Sequence, residues 1–176
     1  MRIFKKILSN IHRYVFCALM SVVIWAWIFT LVTDAPRAKK VTVLFDTVSV
    51  NETALRTELK KHLPEGLRTV KVYHISYMDM SLGMTDEADI YVLPGDRIEE
   101  SLDFLCPIGE SLSERDAVIN GEVYGWYLEG ARSYAEFEEG TDYFICFTKG
   151  SLHLGELNGS KDSAAVTVAG NILLLP

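Results

Sequence analysis

Two carboxylates and two aromatic side chains have the types and the spacing to bind a small ligand. Asp46 and Asp96 each follow an apolar run typical of a strand, and Tyr124 and Trp126 lie within a third such run. Carboxylates accept hydrogen bonds from hydroxyl groups, and aromatic rings offer flat contact area to a sugar or another planar ligand. Ligands of parallel α/β sheets bind beyond the carboxyl ends of the strands, where these residues are expected. The pattern predicts a binding site, unless the aromatics belong to the core and the aspartates are turn or cap residues.

The sequence contains no motif that indicates catalysis. It has no G-x-S-x-G elbow, no phosphate-binding loop and no G-x-G-x-x-G segment, and Ser151 with His153 is typical of a turn after a strand. A nucleophilic triad also needs an activated serine or cysteine beside a base and an acid. These observations predict a protein that is not an enzyme.

Histidine and cysteine residues show no metal-binding pattern either. His62, His74 and His153, together with Cys106 and Cys146, are not at the spacings typical of zinc sites. We therefore expect no metal and no cofactor. The two cysteines are either small buried hydrophobic residues or a disulfide pair in an oxidising compartment, and the sequence alone leaves both open.

The charge of the 176-residue chain is unevenly distributed. The formal net charge is −7, but residues 1–40 carry seven basic residues against one acidic one, and residues 41–176 carry ten basic against 23 acidic. An acidic domain repels phosphate backbones, which argues against nucleic-acid binding.

A single apolar segment predicts a membrane span. Residues 14–33 contain no charged residue, and 20 helical residues span roughly 30 Å, the thickness of a bilayer core. We interpret them as an uncleaved signal anchor, with a cleaved signal peptide as the alternative. Residues 1–13 then form a basic cytoplasmic terminus, residues 34–40 a linker, and residues 41–176 an extracytoplasmic domain on the outer side of the cell membrane.

Alternating apolar patterns in the first half predict an α/β domain. We expect strands at 41–47, 67–75 and 88–94, and a loop or short helix at 76–87. A first helix begins near Ser49, whose spacing to Glu52 fits a capping box, or at the second candidate cap, Asn51. Another helix begins at Gly95 and Asp96 and continues to about Leu105, before Pro107. Strands that alternate with helices favour a parallel sheet.

The second half favours a strand pair, or a strand entered by the turn Asn120-Gly121, at 119–130. A short helix or excursion is expected at 131–140 and a strand at 141–150. A last helix is expected after a cap at Ser160. The predicted core contains residues from the sheet and from the helices packed on it: Val43, Phe45, Leu55, Leu59, Ile90, Val92, Phe144, Ile145, Val168 and Ile172.

Three segments resemble extracellular solute-binding proteins of the type-2 periplasmic fold. Residues 88–108, ADIYVLPGDRIEESLDFLCPI, are similar to the family's strand, ligand loop and following helix, and residues 121–128, GEVYGWYL, to its G-x-V-Y-G strand. Tyr127 stands where the family usually has proline. Residues 143–173 resemble its returning strand, K-x-S turn and closing helix.

The resemblance implies one lobe of a two-lobed protein, because only 13 residues separate Leu128 from Asp142, where the family inserts a second lobe. We therefore expect a transmembrane helix followed by a single, mostly parallel sheet with flanking helices. The expected function is membrane-tethered binding of a small solute or a protein partner, without catalysis. The alternative is an accessory or structural membrane protein that binds no small molecule. A second copy or a neighbouring membrane protein is the expected partner.

Overall fold

The computed structural model describes residues 11–33, 35–75 and 88–176. The chain divides into two units, Met1–Pro36 and Arg37–Pro176. The loop or short helix predicted at 76–87 lies outside the described residues.

The first unit contains helix α1, Ile11–Thr33. Its described side chains from Arg13 to Phe29 are all exposed, and most of them are apolar. Ser21 Oγ donates a hydrogen bond to Cys17 O at 2.8 Å, which satisfies this hydroxyl within the helix. Within the described residues, no helix meets the length and apolarity needed to cross a membrane. The span at 14–33 therefore stays a prediction.

The second unit is a mixed α/β domain built on a seven-stranded sheet. The strands that form it in chain order are β1, Lys40–Phe45; β3, Thr69–His74; β4, Ile90–Pro94; β5, Leu105–Cys106; β6, Ala117–Ile119; β7, Glu122–Tyr127; and β9, Tyr143–Thr148. The sheet order is β3-β1-β4-β9-β7-β6, with β5 paired to β9 off this path. A two-stranded sheet pairs β2, Ser49–Val50, with β8, Ala135–Glu136.

The central sheet is mostly parallel in strand direction, as predicted, but not in every pairing. β1 pairs in parallel with β3 and β4, whereas β9 is antiparallel to β4, β5 and β7, and β6 is antiparallel to β7. Among the described strands, β6 and β9 thus run against the other five. The predicted antiparallel turn is confirmed, because Asn120 and Gly121 have φ angles of 53° and 86°, as a tight hairpin turn requires.

The helix predicted from Gly95 to Leu105 is wrong. Two single 3-10 turns, Gly95–Arg97 and Glu99–Ser101, precede β5 instead. Lys149 Nζ donates to Leu102 O and Asp103 O at 3.1 and 3.0 Å. Lys149 and the pairing of β5 with β9 therefore stabilise the non-helical path.

The helices of this unit begin at caps that differ from the preferred candidates. Helix α2, Glu52–Lys60, is capped by Asn51, whose Oδ1 accepts from Ala54 N at 3.1 Å. Ser49 lies in β2, so the capping-box interpretation is wrong and the second candidate is confirmed. Helix α3, Ala164–Leu173, follows Ser163, while Ser160 Oγ accepts from two amides of the preceding loop.

Apolar side chains fill two clusters on opposite faces of the sheet. The larger cluster, on what we call the helix face, joins alternate strand residues to α2 and α3. The smaller one, on the second face, includes Leu44, Tyr91, Leu93 and Phe144. Both helices thus cover the same face. Every predicted core residue is buried: Val43, Phe45, Leu55, Leu59, Ile90, Val92, Phe144, Ile145, Val168 and Ile172.

Cys106 and Cys146 are both buried free thiols, and they belong to different clusters. The alternative of small buried hydrophobic residues is therefore the one that the structure supports. Burial raises the pKa of both thiols. A raised pKa disfavours the reactive thiolate, which fits a packing role.

Candidate functional site

An ion pair lies at the edge of the sheet where β1, β3 and β4 end, which we call the carboxyl edge. Asp46 follows β1 directly, and its backbone N–H donates to Val92 O of β4 at 2.9 Å. Arg97, from the 3-10 turn after β4, places Nη1 3.4 Å from Asp46 Oδ2. Because β1 lies between β3 and β4, strand order reverses at β1, which is where open parallel sheets bind ligands.

The surroundings of Asp46 oppose its ionisation. The side chain is only 12% exposed, and burial is the main reason why the pKa of Asp46 is raised. The positive charges of Arg97 and His74 act in the opposite direction, whereas Asp96 and Glu138 raise this pKa further. Within the described part of the chain, Asp46 Oδ2 is buried without a hydrogen-bond partner. Asp46 is thus a poorly solvated carboxylate, and an additional hydrogen-bond donor would stabilise its charged form.

Asp96 is exposed at the same edge and also lines a groove on the second face. The groove has a volume of about 430 Å³, and its lining combines two carboxylates with small and apolar residues: Gly95, Asp96, Ile98, Glu99, Ala117, Val118, Ile119 and Phe144. The structure therefore brings Asp46 and Asp96 to one edge, close enough for the charge of Asp96 to raise the pKa of Asp46.

Tyr124 and Trp126 do not share a face of the sheet. Tyr124 packs against the cluster of the second face, and its hydroxyl donates to Glu122 Oε2 at 2.9 Å. Trp126 belongs to the cluster of the helix face. The register explains the separation, because Val118 pairs with Val123 while the neighbouring Ala117 pairs with Gly125. Tyr124 is thus the extra residue of a β-bulge, and the usual alternation of side chains is interrupted there.

Trp126 lines a second and larger cavity. The ring is only 7% exposed and meets Phe147 edge-on, with the ring centroids 5.2 Å apart. Its Nε1 donates to Glu110 O at 3.1 Å. The cavity has a volume of about 630 Å³ between β7, the loop after β9 and the start of α3, and it is lined by Ile108, Glu110, Trp126, Leu154, Gly155, Glu156, Leu157, Gly159, Ser160, Lys161, Asp162, Ser163 and Val166. A single site formed by Asp46, Asp96, Tyr124 and Trp126 therefore stays a prediction. The structure places Tyr124 and Trp126 on different faces of the sheet.

A buried polar network, which the sequence analysis interpreted only as a turn, lies at the opposite edge of the sheet. Ser151 Oγ donates to Asp89 Oδ1 at 2.6 Å, and Asp89 Oδ2 accepts from Thr42 N at 2.8 Å. The ring of His153 contacts a different acid, Asp162, with Nδ1 2.8 Å from Oδ1. The hydroxyl and the ring thus bond to different carboxylates, and the network ties the loop after β9 to β1 and β4.

Both ring nitrogens of His153 face acceptors, because Nε2 lies 3.2 Å from Arg37 O. Burial alone would lower the pKa of His153, but the bonds to Asp162 and to the Arg37 carbonyl raise it overall. Among the described residues, no cluster of histidine, cysteine, aspartate or glutamate could hold a metal ion.

Comparisons with known proteins add little to this geometry. No protein-family model matches the chain, and no curated protein matches it. One matching solved structure is thiaminase I from Bacillus thiaminolyticus, with 22% sequence identity and a TM-score of 0.34. The match covers 49% of this chain and 27% of the thiaminase chain, so it concerns about a quarter of that enzyme.

At that TM-score the likeness carries no argument about the fold or the activity of this chain. The matched protein is an enzyme, so no comparison supports the prediction that this chain is not an enzyme. That prediction is therefore withdrawn.

Proposed function

We propose that this chain is a membrane-tethered binding module, related to one lobe of type-2 periplasmic solute-binding proteins, that holds a small polar solute at its carboxyl edge. The observation that carries the proposal is the Asp46–Arg97 pair at the strand-order reversal. The buried Asp46 Oδ2, which has no hydrogen-bond partner among the described residues, offers an acceptor to a ligand beside the positive charge of Arg97. Asp96 adds an exposed acceptor beside them.

The course of the chain supports the resemblance behind this proposal. After the short excursion at β8, the chain returns as β9, which inserts between β4 and β7 and leads through a loop into α3. This sequence of a returning strand, a turn and a closing helix is what the resemblance implies for residues 143–173. No second lobe faces the carboxyl edge within the described residues, because 129–142 form only turns and β8.

A one-sided site is expected to bind weakly. Small-ligand sites usually bury most of the ligand surface, and a ligand held on one side loses much of that gain. We expect a Kd on the order of 0.1 mM or weaker unless a second copy or a neighbouring membrane protein supplies the other wall. The test is calorimetry on the full chain in detergent micelles, with sugars, short peptides and small anions as probes.

The decisive variant is Asp46→Asn, which is expected to weaken the binding of any active probe by about tenfold, since it removes a charged hydrogen-bond acceptor. Asp103→Asn is the matched control, because Asp103 is exposed and precedes β5, which pairs with the opposite end of β9 from the end of β4. Unchanged binding in Asp46→Asn would move the site elsewhere. Submicromolar binding by a monomer would contradict the one-sided site.

The tether is the second part of the proposal. Residues 14–33 carry no charge, and the described side chains of α1 expose their apolar groups, as a helix in contact with lipid would. We expect full-length protein in the membrane fraction and residues 41–176 accessible to protease on intact cells. A soluble full-length product, or a domain that stays protected until the cells are opened, would contradict the proposed topology.

An interaction role without a small ligand is the second candidate. Its supporting observation is the hairpin edge at β6, where Val118 is 57% exposed beside the groove that contains Asp96 and Glu99. A partner with apolar and basic side chains would complement this edge. Light scattering on the Val118→Lys variant tests this role. If no probe binds and the substitution converts an oligomer into a monomer, the interaction role is supported and the solute-binding proposal is contradicted.

A further inference from the structure

The cavity beside Trp126 lies away from the carboxyl edge, on the helix face. Its volume of about 630 Å³ is in the range of small-molecule sites, roughly 300–1,000 Å³. Trp126 and four aliphatic residues line it, and charged side chains lie at its rim. The Trp126 indole N–H already donates to Glu110 O, so the small exposed part of this residue offers a ligand apolar contact rather than a hydrogen bond.

The charged side chains at the rim favour a ligand with a positive charge. Three acids, Glu110, Glu156 and Asp162, line the cavity against one base, Lys161. Asp162 is engaged by His153, which leaves two carboxylates against a single ammonium. The domain that surrounds the cavity is itself strongly acidic, with 23 acidic and ten basic residues in 41–176. The local and the overall potential both attract cations.

The capping of α3 disfavours an anion. The amino end of α3 would ordinarily attract a negative group, because its first amides lack helical partners. Here Asp162 Oδ1 accepts from Ala164 N at 3.1 Å, and His153 O accepts from Ala165 N at 3.0 Å. The protein's own carboxylate therefore occupies the position that an anionic ligand would take.

We infer that this cavity is a binding site for a small amphipathic cation, an organic ammonium whose apolar body packs on Trp126 and the aliphatic walls while its charge faces Glu110 and Glu156. The site is separate from the carboxyl edge of the proposed function. The rim carboxylates favour a charged ligand over a neutral one of the same shape.

Calorimetry on the full chain in detergent micelles tests the inference with three probes of similar size. Benzyltrimethylammonium carries the charge, neopentylbenzene is its neutral isostere, and phenylacetate is an anion. We expect the ammonium to bind at least about tenfold more tightly than the isostere and phenylacetate not to bind. The indole N–H resonance of Trp126, assigned with Trp126→Phe, should shift on titration with the ammonium.

Two double variants distinguish the carboxylates at the cavity rim from the overall negative charge of the domain. Glu110→Gln with Glu156→Gln is expected to weaken ammonium binding about fivefold and to leave the isostere unchanged. Glu65→Gln with Glu139→Gln removes the same charge from exposed positions that do not line the cavity. This control should change neither the affinity for the ammonium nor the affinity for the isostere. Equal affinity for the isostere, tighter binding of phenylacetate, an unaffected rim variant, or no binding of any probe would each overturn the inference. Asp46→Asn should leave ammonium binding unchanged, so this inference and the proposed function fail independently.

Discussion

Replacing Gly125 with valine is expected to destabilise the domain by about 3 kcal/mol and to lower its thermal midpoint by about 10 °C. Gly125 lies in β7 opposite Cys146 of β9, in the middle of the antiparallel part of the sheet. A Cβ atom built there would lie 2.8 Å from Phe144 Cβ and 2.9 Å from Cys146 Sγ. Both neighbours are buried, so neither side chain can move into solvent. The added methyl groups must push β7 away from β9.

A graded pair of variants tests this cause. Gly125→Ala should cost about 1–3 kcal/mol, whereas Gly150→Ala should be nearly neutral, because a Cβ atom at Gly150 meets nothing within 4 Å. Thermal unfolding of the full chain in detergent, followed by near-ultraviolet circular dichroism, measures all three variants. Equal midpoints for Gly125→Ala and Gly150→Ala would contradict the close approach of the two strands.

Asp116→Ala is expected to cost about 3 kcal/mol, because one carboxylate holds the loop before β6 to the end of β7. Asp116 Oδ1 accepts from Tyr127 N at 2.8 Å. Its Oδ2 accepts from Leu112 N, Ser113 N and Ser111 Oγ at 2.7, 2.9 and 3.0 Å. The residue is buried, so its removal leaves several donors without a partner or open to water. The measurement is again the thermal midpoint.

The acid dependence of stability gives a second check on Asp116. Burial alone would raise the pKa of Asp116, but the four hydrogen bonds outweigh burial and lower it. A carboxyl whose folded-state pKa is lowered stabilises the fold at pH values above its unfolded pKa of about 3.9. This contribution is lost as pH falls below that value and through the lower folded-state pKa. Asp116→Asn should show a smaller loss of stability over this acid range than the wild type, whereas the exposed control Asp103→Asn should match the wild type.

A site residue could be predicted from the sequence where its position follows from the pattern of one strand. Asp46 and Asp96 were placed correctly at the carboxyl edge, because strand ends can be read from apolar runs followed by polar residues. Arg97 was missed, although it follows Asp96 directly and its charge could have been noted. The cavity beside Trp126 had no sequence signal, since its lining comes from the segment after β5, from β7, from the loop after β9 and from α3.

By itself, the sequence determined the local features of this protein. Apolar runs located β1, β3, β4 and β9, and the predicted core residues of β1, β4 and β9 are buried because apolar clusters cover both faces of the sheet. The predicted core residues of the two helices are buried because they share one helix face at a spacing of three or four residues. Asn120-Gly121 determined a hairpin, because these residue types tolerate the positive φ angles that such a turn needs.

Only the tertiary structure decided features that depend on a partner distant in the chain. Pairing with β9 and capture of carbonyls by Lys149 made 95–106 two turns and a strand rather than a helix. The extra residue Tyr124 in β7 arises from its register with β6, and it separates Tyr124 from Trp126 across the sheet. A bulge depends on how two strands align, and no single strand's pattern contains that information. The division of the predicted site between two faces therefore followed from the register of the strands.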